Sequence, residues 1–162
     1  MTKSVTLIAA LVLACAGAMS TSGNASENSK QNAVAIDQVS DPTVDYVLDM
    51  FRFEPDFVRI PVGGKIIFNN SRGQHTVKSV RGLIPEGVKS ISIANTQSHT
   101  QVMDAPGLYV MTCKVHGRYG MVMLIAVGPR EAWRNPPESW SKKLNGRADE
   151  KLQQLLARLE QK

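Results

Sequence analysis

The sequence predicts an all-β domain, a β-sandwich of short strands, followed by a C-terminal α-helical extension. Three observations point there. Short runs of β-branched and apolar residues recur between positions 44 and 128, each stopped by Gly, Pro or Asn. Beyond them Leu152, Leu155, Leu156 and Leu159 follow the i, i+3, i+4, i+7 spacing of an amphipathic helix. The chain has 162 residues, 43% of them hydrophobic, which suits a single domain with a full core.

The first 25 residues read as an export signal. Lys3 is their only charge, and it precedes the apolar run Val5-Thr6-Leu7-Ile8-Ala9-Ala10-Leu11-Val12-Leu13-Ala14. That run is too short to span a bilayer. Ala16-Gly17-Ala18 fits a small-residue cleavage site, and a cut after Ala25 is the alternative. A short membrane anchor and a lipoprotein cut before Cys15 are the other uses such a run has. Residues 26–43 are polar and read as a flexible leader.

The strand runs follow in order from residue 44. Tyr46-Val47-Leu48 is the first and Phe57-Val58-Arg59-Ile60 the second, stopped by Pro61. Gly63-Gly64 turns the chain into Lys65-Ile66-Ile67-Phe68. Asn69-Asn70-Ser71-Arg72-Gly73 reads as a loop, and His75-Thr76-Val77 restarts a strand. Ile91 and Ile93 alternate with polar residues, and Thr100-Gln101-Val102-Met103 does the same. Pro106-Gly107 precedes Leu108-Tyr109-Val110-Met111-Thr112-Cys113. The last run covers 121–127 and ends at Gly128-Pro129. Seven or eight strands with this punctuation form a sandwich. In the extension, 129–162, Trp133 and Trp140 flank Pro136-Pro137, so a turn or short helix is expected there. Asn145 or Asp149 is placed to cap the final helix, whose Leu face is expected to pack on the sandwich.

The net charge of +5 favours an acidic partner surface, a membrane surface or nucleic acid. The basic residues are scattered and no nucleic-acid module is present, so nucleic acid is excluded. The chain has two cysteines, Cys15 and Cys113. Removal of the signal removes Cys15, and one cysteine in an oxidising compartment cannot form an internal disulfide.

Cys113 sits in Cys113-Lys114-Val115-His116-Gly117-Arg118-Tyr119-Gly120-Met121, a C-x2-H-x4-M motif between two strand runs. The connecting loop can turn all three side chains toward one point, and His75 is available upstream as a fourth. Singly, each has a bland reading as core or structural residue. Together, two imidazoles, one thiolate and one thioether are the donor set of an electron-transfer copper site. Zinc also takes Cys and His, but a thioether is a poor zinc ligand, so Met121 decides for one copper ion. Met123 shares Met121's face and lies farther from the loop. His99, in a polar stretch, is left over.

These residues resemble the cupredoxins, and within them the pseudoazurins. The resemblance runs from Val44 onward through Phe53-Glu54-Pro55, His75, Arg81-Gly82-Leu83-Ile84-Pro85-Glu86-Gly87, Ala105-Pro106-Gly107-Leu108-Tyr109 and the segment 113–128. It implies a Greek-key cupredoxin-like β-sandwich over 44–128 with two C-terminal helices. It also implies copper ligation by His75, Cys113, His116 and Met121. The implied function is a monomeric periplasmic one-electron carrier rather than an enzyme, serving redox proteins such as a nitrite reductase or c-type cytochrome that dock near His116. There the second ligand His would show its edge in an apolar patch, with Arg72, Lys114 and Arg118 as a basic rim. Thr76 replaces a common Asn that ties the two ligand loops; its hydroxyl can still donate one hydrogen bond, so a weaker tie is expected. Val115 replaces a common Pro, and its N–H is expected to donate to the Cys113 sulfur and raise the potential. Gln74 and the Gly117-Arg118-Tyr119 run also depart from the family pattern. Copper storage would call for Met- or His-rich tracts, and a thiol enzyme for a base and an open pocket; neither pattern is present.

Overall fold

The structure, a computed structural model, describes residues 33–159, so the export signal and the first part of the leader lie outside it. Two sheets face each other. The first has the order β2-β1-β4-β7, from Phe51–Glu54 (β2), Ala33–Ser40 (β1), Gly64–Ser71 (β4) and Thr96–Met103 (β7). The second has the order β3-β9-β8-β5-β6, from Phe57–Ile60 (β3), Val122–Val127 (β9), Gly107–Thr112 (β8), Val77–Ser79 (β5) and Ser92–Ile93 (β6). Two pairings are parallel, β1 with β4 and β3 with β9. The all-β sandwich with a C-terminal helix is the architecture that the sequence predicts.

Three expectations for the stretch up to residue 73 are corrected. The leader does not run to residue 43, because Ala33–Ser40 is a full strand. It pairs Val34 with Ile66 and Ile36 with Phe68, and buries Ile36 between the sheets. A strand whose order comes from distant partners looks like polar leader when only local composition is read. Tyr46-Val47-Leu48 is not a strand: Val47–Met50 forms one helical turn (α1) that buries Leu48. A three-residue apolar run has no readable period. The loop at 69–73 begins later, since Asn69 and Ser71 still pair with Ser98 and Thr96. Among the described residues there are nine strands, the extra ones being β1 and β2.

β4 shows the ordinary alternation, with Ile66 and Phe68 inward and Lys65 outward. β9 is buried along its whole length, because both of its faces are covered. Met123, Ile125 and Val127 join the core between the sheets. Val122, Leu124 and Ala126 join a second core under the C-terminal extension, with Trp133, Trp140, Leu152, Leu155 and Leu159. The extension holds two 3-10 turns, Arg130–Ala132 and Glu138–Lys142, and one α-helix, Arg147–Ala157 (α2), rather than two full helices. α2 starts at Gly146 with no side-chain cap, so neither Asn145 nor Asp149 plays that part.

One ion cluster ties α2 to the sheet. Asp56, between β2 and β3, meets Lys151 Nζ at 2.7 Å and Arg158 Nη1 at 2.6 Å. Burial pushes the Asp56 carboxyl up, but the hydrogen bonds and charges of Lys151 and Arg158 outweigh it and hold it below 3.8. Because the folded value lies below the unfolded one, this stabilisation is present at neutral pH and is lost as pH falls through the folded value. Asp56→Asn leaves the Lys151 ammonium, 9% exposed, without its nearest partner. We expect a loss of about 3 kcal/mol at pH 7, discounted from the usual upper range because Arg158 is half in water. Thermal unfolding across pH checks it: the gap between variant and wild type should close in acid, and a gap constant with pH would contradict the account.

Candidate metal centre

Three of the four expected donors, His75, Cys113 and His116, come together in the fold. His75 lies in the β4–β5 loop, where its N–H donates to Arg72 O at 3.1 Å. Cys113 follows the last residue of β8. The 113–121 loop then closes on itself: Gly117 N–H donates to Cys113 O at 2.9 Å, and Met121 N–H to His116 O at 3.2 Å. Gly117–Tyr119 is a 3-10 turn ended by Gly120 at φ +99°. A side chain at Gly120 would be strained by that φ and would overlap Leu48 of α1.

One donor atom each from His75, Cys113 and His116 lie within 4.8 Å of one another. Cys113 Sγ is 3.7 Å from His116 Nδ1. Met121 was the fourth expected donor. The β8–β9 register sets Met111 against Met123 and Thr112 against Val122. Met121 therefore stands across from Cys113, and the Cys113 N–H donates to Met121 O at 3.2 Å. Met123 sits one inward position farther down the strand, against Met111. Both methionines are fully buried. His99, on β7, is exposed and outside the cluster.

Electrostatics favour ligands that offer lone pairs. Burial lowers the pKa of His75 below 6.5. Burial, then the nearby His75 and Arg118, lower His116 as well. Both rings are neutral at pH 7. His75 Nδ1 is buried with no hydrogen-bond partner. An orphaned buried nitrogen calls for an explanation, and a metal ion beside a thiol and a second imidazole supplies one. A soft sulfur with two imidazoles fits copper, and Met121 stands at the backbone position paired with Cys113.

Residues 43–128 match the family described as copper binding proteins, plastocyanin/azurin family. A pseudoazurin of Paracoccus pantotrophus is 35% identical over 107 residues, 66% of this chain and 72% of that protein. The chain belongs to the pseudoazurin family. A putative pseudoazurin of Rhizobium leguminosarum bv. viciae is 37% identical over 84 residues, and the match spans about half of it, 55% of its length. The crystal structure of pseudoazurin from Methylobacterium extorquens aligns with a TM-score of 0.60 at 27% identity, covering 79% of this chain and 99% of that one. Pseudoazurins are copper-binding electron carriers and not enzymes.

The departures from the pseudoazurin pattern have structural answers. Thr76 does tie the loops: its hydroxyl accepts from Lys114 N–H at 2.9 Å and faces Cys113 Sγ at 3.8 Å. The expected bond from Val115 N–H to the sulfur is not formed. The sulfur instead meets Thr76 Oγ1, Gln74 O at 3.5 Å and His116 Nδ1, while the Cys113 carbonyl takes the turn hydrogen bond from Gly117.

The edge that His116 shows to the surface is small. The residue is 4% exposed, and Phe51 lies flat on one face of its ring, centroids 4.0 Å apart and planes 2° from parallel. Tyr119 packs beside Phe51 at 5.6 Å, and the Arg118 guanidinium covers Tyr119 at 4.7 Å. Above them lies a shallow groove of about 390 Å³ lined by Val47, Met50, Phe51, Val115 and His116 among others. Two residues here escaped sequence reading. Ser40, at the end of β1, places Oγ 3.0 Å from His75 Nε2, and Phe51 roofs His116. Val34 and Ile36 alternating ahead of Ser40 were the available signal for β1.

Proposed function

We propose that this chain is a periplasmic type 1 blue-copper protein that carries single electrons between redox proteins, with His75, Cys113, His116 and Met121 as the copper ligands. The carrying observation is the convergence of His75, Cys113 and His116 donors within 4.8 Å beside an orphaned His75 Nδ1. Bound copper supplies a one-electron couple that no amino-acid side chain here offers. The rest is the protein's work. The 113–121 loop joins two buried strands, so the thiol and imidazole have little room to move. Neutral imidazoles present lone pairs without a proton to displace. Burial of Cys113, 1% exposed, keeps the sulfur from disulfide exchange in an oxidising compartment. Support for the periplasm comes from the signal-like first 25 residues and from the family.

The partner, a nitrite reductase or a c-type cytochrome by resemblance, would dock over the groove at His116. Val115, 38% exposed, and Phe51 offer apolar contact there. Arg72, Lys114 and Arg118 are exposed, and among the described residues none of them forms an ion pair. A basic rim of this kind speeds encounter with an acidic partner and is screened by salt.

The test of the ligand set is a visible spectrum of the mature protein titrated with Cu(II). A strong thiolate-to-copper band should saturate at one equivalent, bleach on reduction and be missing in Cys113→Ser. A colourless wild type that binds zinc tightly would reject copper. Reversing charge at Lys114 and Arg118 to Glu should slow electron exchange with an acidic redox partner by about tenfold at low salt, with the difference shrinking as salt rises. A salt dependence matching the wild type would remove the rim from the account.

A further inference from the structure

The β1–β2 ladder ends on one cross-strand pair, Ser40 against Phe51. Its two side chains reach two different imidazoles. Ser40 Oγ lies 3.0 Å from His75 Nε2, and the Phe51 ring lies flat on His116 at 4.0 Å. The imidazoles are themselves 4.9 Å apart. We propose that this single rung is a clasp that sets the orientation of both imidazoles before any metal arrives, Ser40 by choosing the tautomer of His75 and Phe51 by barring rotation of the His116 ring. The proposal rests on the reading of those histidines as ligands.

His75 has one ring nitrogen at Ser40 and the other, Nδ1, buried with no partner. A hydroxyl can accept as well as donate. With the proton on Nε2, His75 donates to Ser40 Oγ and Nδ1 keeps its lone pair free for a metal. The opposite tautomer would bury an N–H at Nδ1 with no acceptor, which is the costlier arrangement. Ser40 therefore does what outer hydrogen-bond partners of metal-binding histidines do: it fixes tautomer and ring angle together. Phe51 acts through shape. His116 Nδ1 faces Cys113 Sγ, and a half-turn of the ring would carry that nitrogen away and present a carbon instead. Half-way through that turn the ring would stand edge-on and press its edge into Phe51, whose ring lies parallel to it within 2° at 4.0 Å.

The rung is itself anchored. Asp41 N–H donates to Met50 O at 2.8 Å, next to the pair on both strands. Arg52 reaches Asp41 at 3.9 Å and donates to Asp49 O at 2.9 Å. The segment between β1 and β2 is thus closed where the clasp needs it closed. Ser40 and Phe51 are positioning residues, acting on the metal only through the histidines.

The experiment uses the mature copper-free protein and four variants, Ser40→Ala, Ser40→Thr, Phe51→Leu and Phe51→Tyr. Long-range proton–nitrogen correlation spectra of the imidazoles report the tautomers directly. Wild type and Ser40→Thr should show His75 protonated at Nε2, and Ser40→Ala a mixture of tautomers. Phe51→Leu should leave His75 unchanged and broaden the His116 ring signals, with Phe51→Tyr restoring them. Copper affinity, read by competition with a chelator, should fall about 10- to 100-fold in Ser40→Ala and Phe51→Leu and recover in the conservative variants. Ser40 is exposed, so Ser40→Ala keeps the fold and its tautomer result stands by itself. A wild type that takes up copper while Ser40→Ala and Phe51→Leu match it in tautomer and affinity overturns the clasp and leaves the ligands standing. A wild type that takes up no copper overturns both.

Discussion

The pairing of β8 with β9 is the constraint on which the rest of the structure depends. These two strands carry the two cores back to back, one between the sheets and one beneath the C-terminal extension. Their register places Met121 across from Cys113. The loop between them is the ligand loop. Moving Cys113 relative to Met121 would mean sliding strands that are buried on both faces, and a slip of one residue would turn every side chain to the wrong core. The site is stiff because its frame, β8 and β9, is buried almost along its whole length.

Polar contacts finish what packing begins. The Thr76 hydroxyl joins the β4–β5 loop to the ligand loop. Ser40 and Phe51 bring in the far edge of the other sheet, and Asp56 locks α2 over the strand that follows Met121. The Thr76 and Ser40 hydrogen bonds are modest by themselves, of the order of 1 kcal/mol for a typical hydrogen bond. Their value lies in restricting atoms that packing alone would leave free to turn. A one-electron carrier needs that restriction, since any atom that must move when charge moves slows the exchange.

The site was legible in the sequence to the extent that it is local. Cys113, His116 and Met121 lie on one loop between two apolar runs, so spacing and strand context place them together. Full burial of β8 and β9 shows as near-continuous apolar sequence, and the Leu spacing of α2 shows directly. What stayed hidden depends on long-range register. β1 draws its order from β4, about thirty residues away, and reads as polar leader without it. Ser40 matters only because it ends opposite Phe51, and Phe51 matters only because α1 turns the chain over His116. The histidine that the sequence places at the surface is, in the fold, covered on one face by Phe51 and open only where it lines the groove. The Val115 N–H failed for a related reason: loop spacing cannot say which donor the sulfur will face once the turn at Gly117 has closed.

The central claim is that the fold holds its donors in place without help from the metal. Crystal structures of the mature protein, copper-free and copper-loaded, test it most directly. The account predicts that the donor atoms of His75, Cys113, His116 and Met121 superpose within about 0.5 Å, the tolerance of a preorganised site, and that the Ser40 and Phe51 contacts persist in both. A 113–121 loop that refolds, or a His75 that swings away from Ser40 when copper is absent, would contradict it.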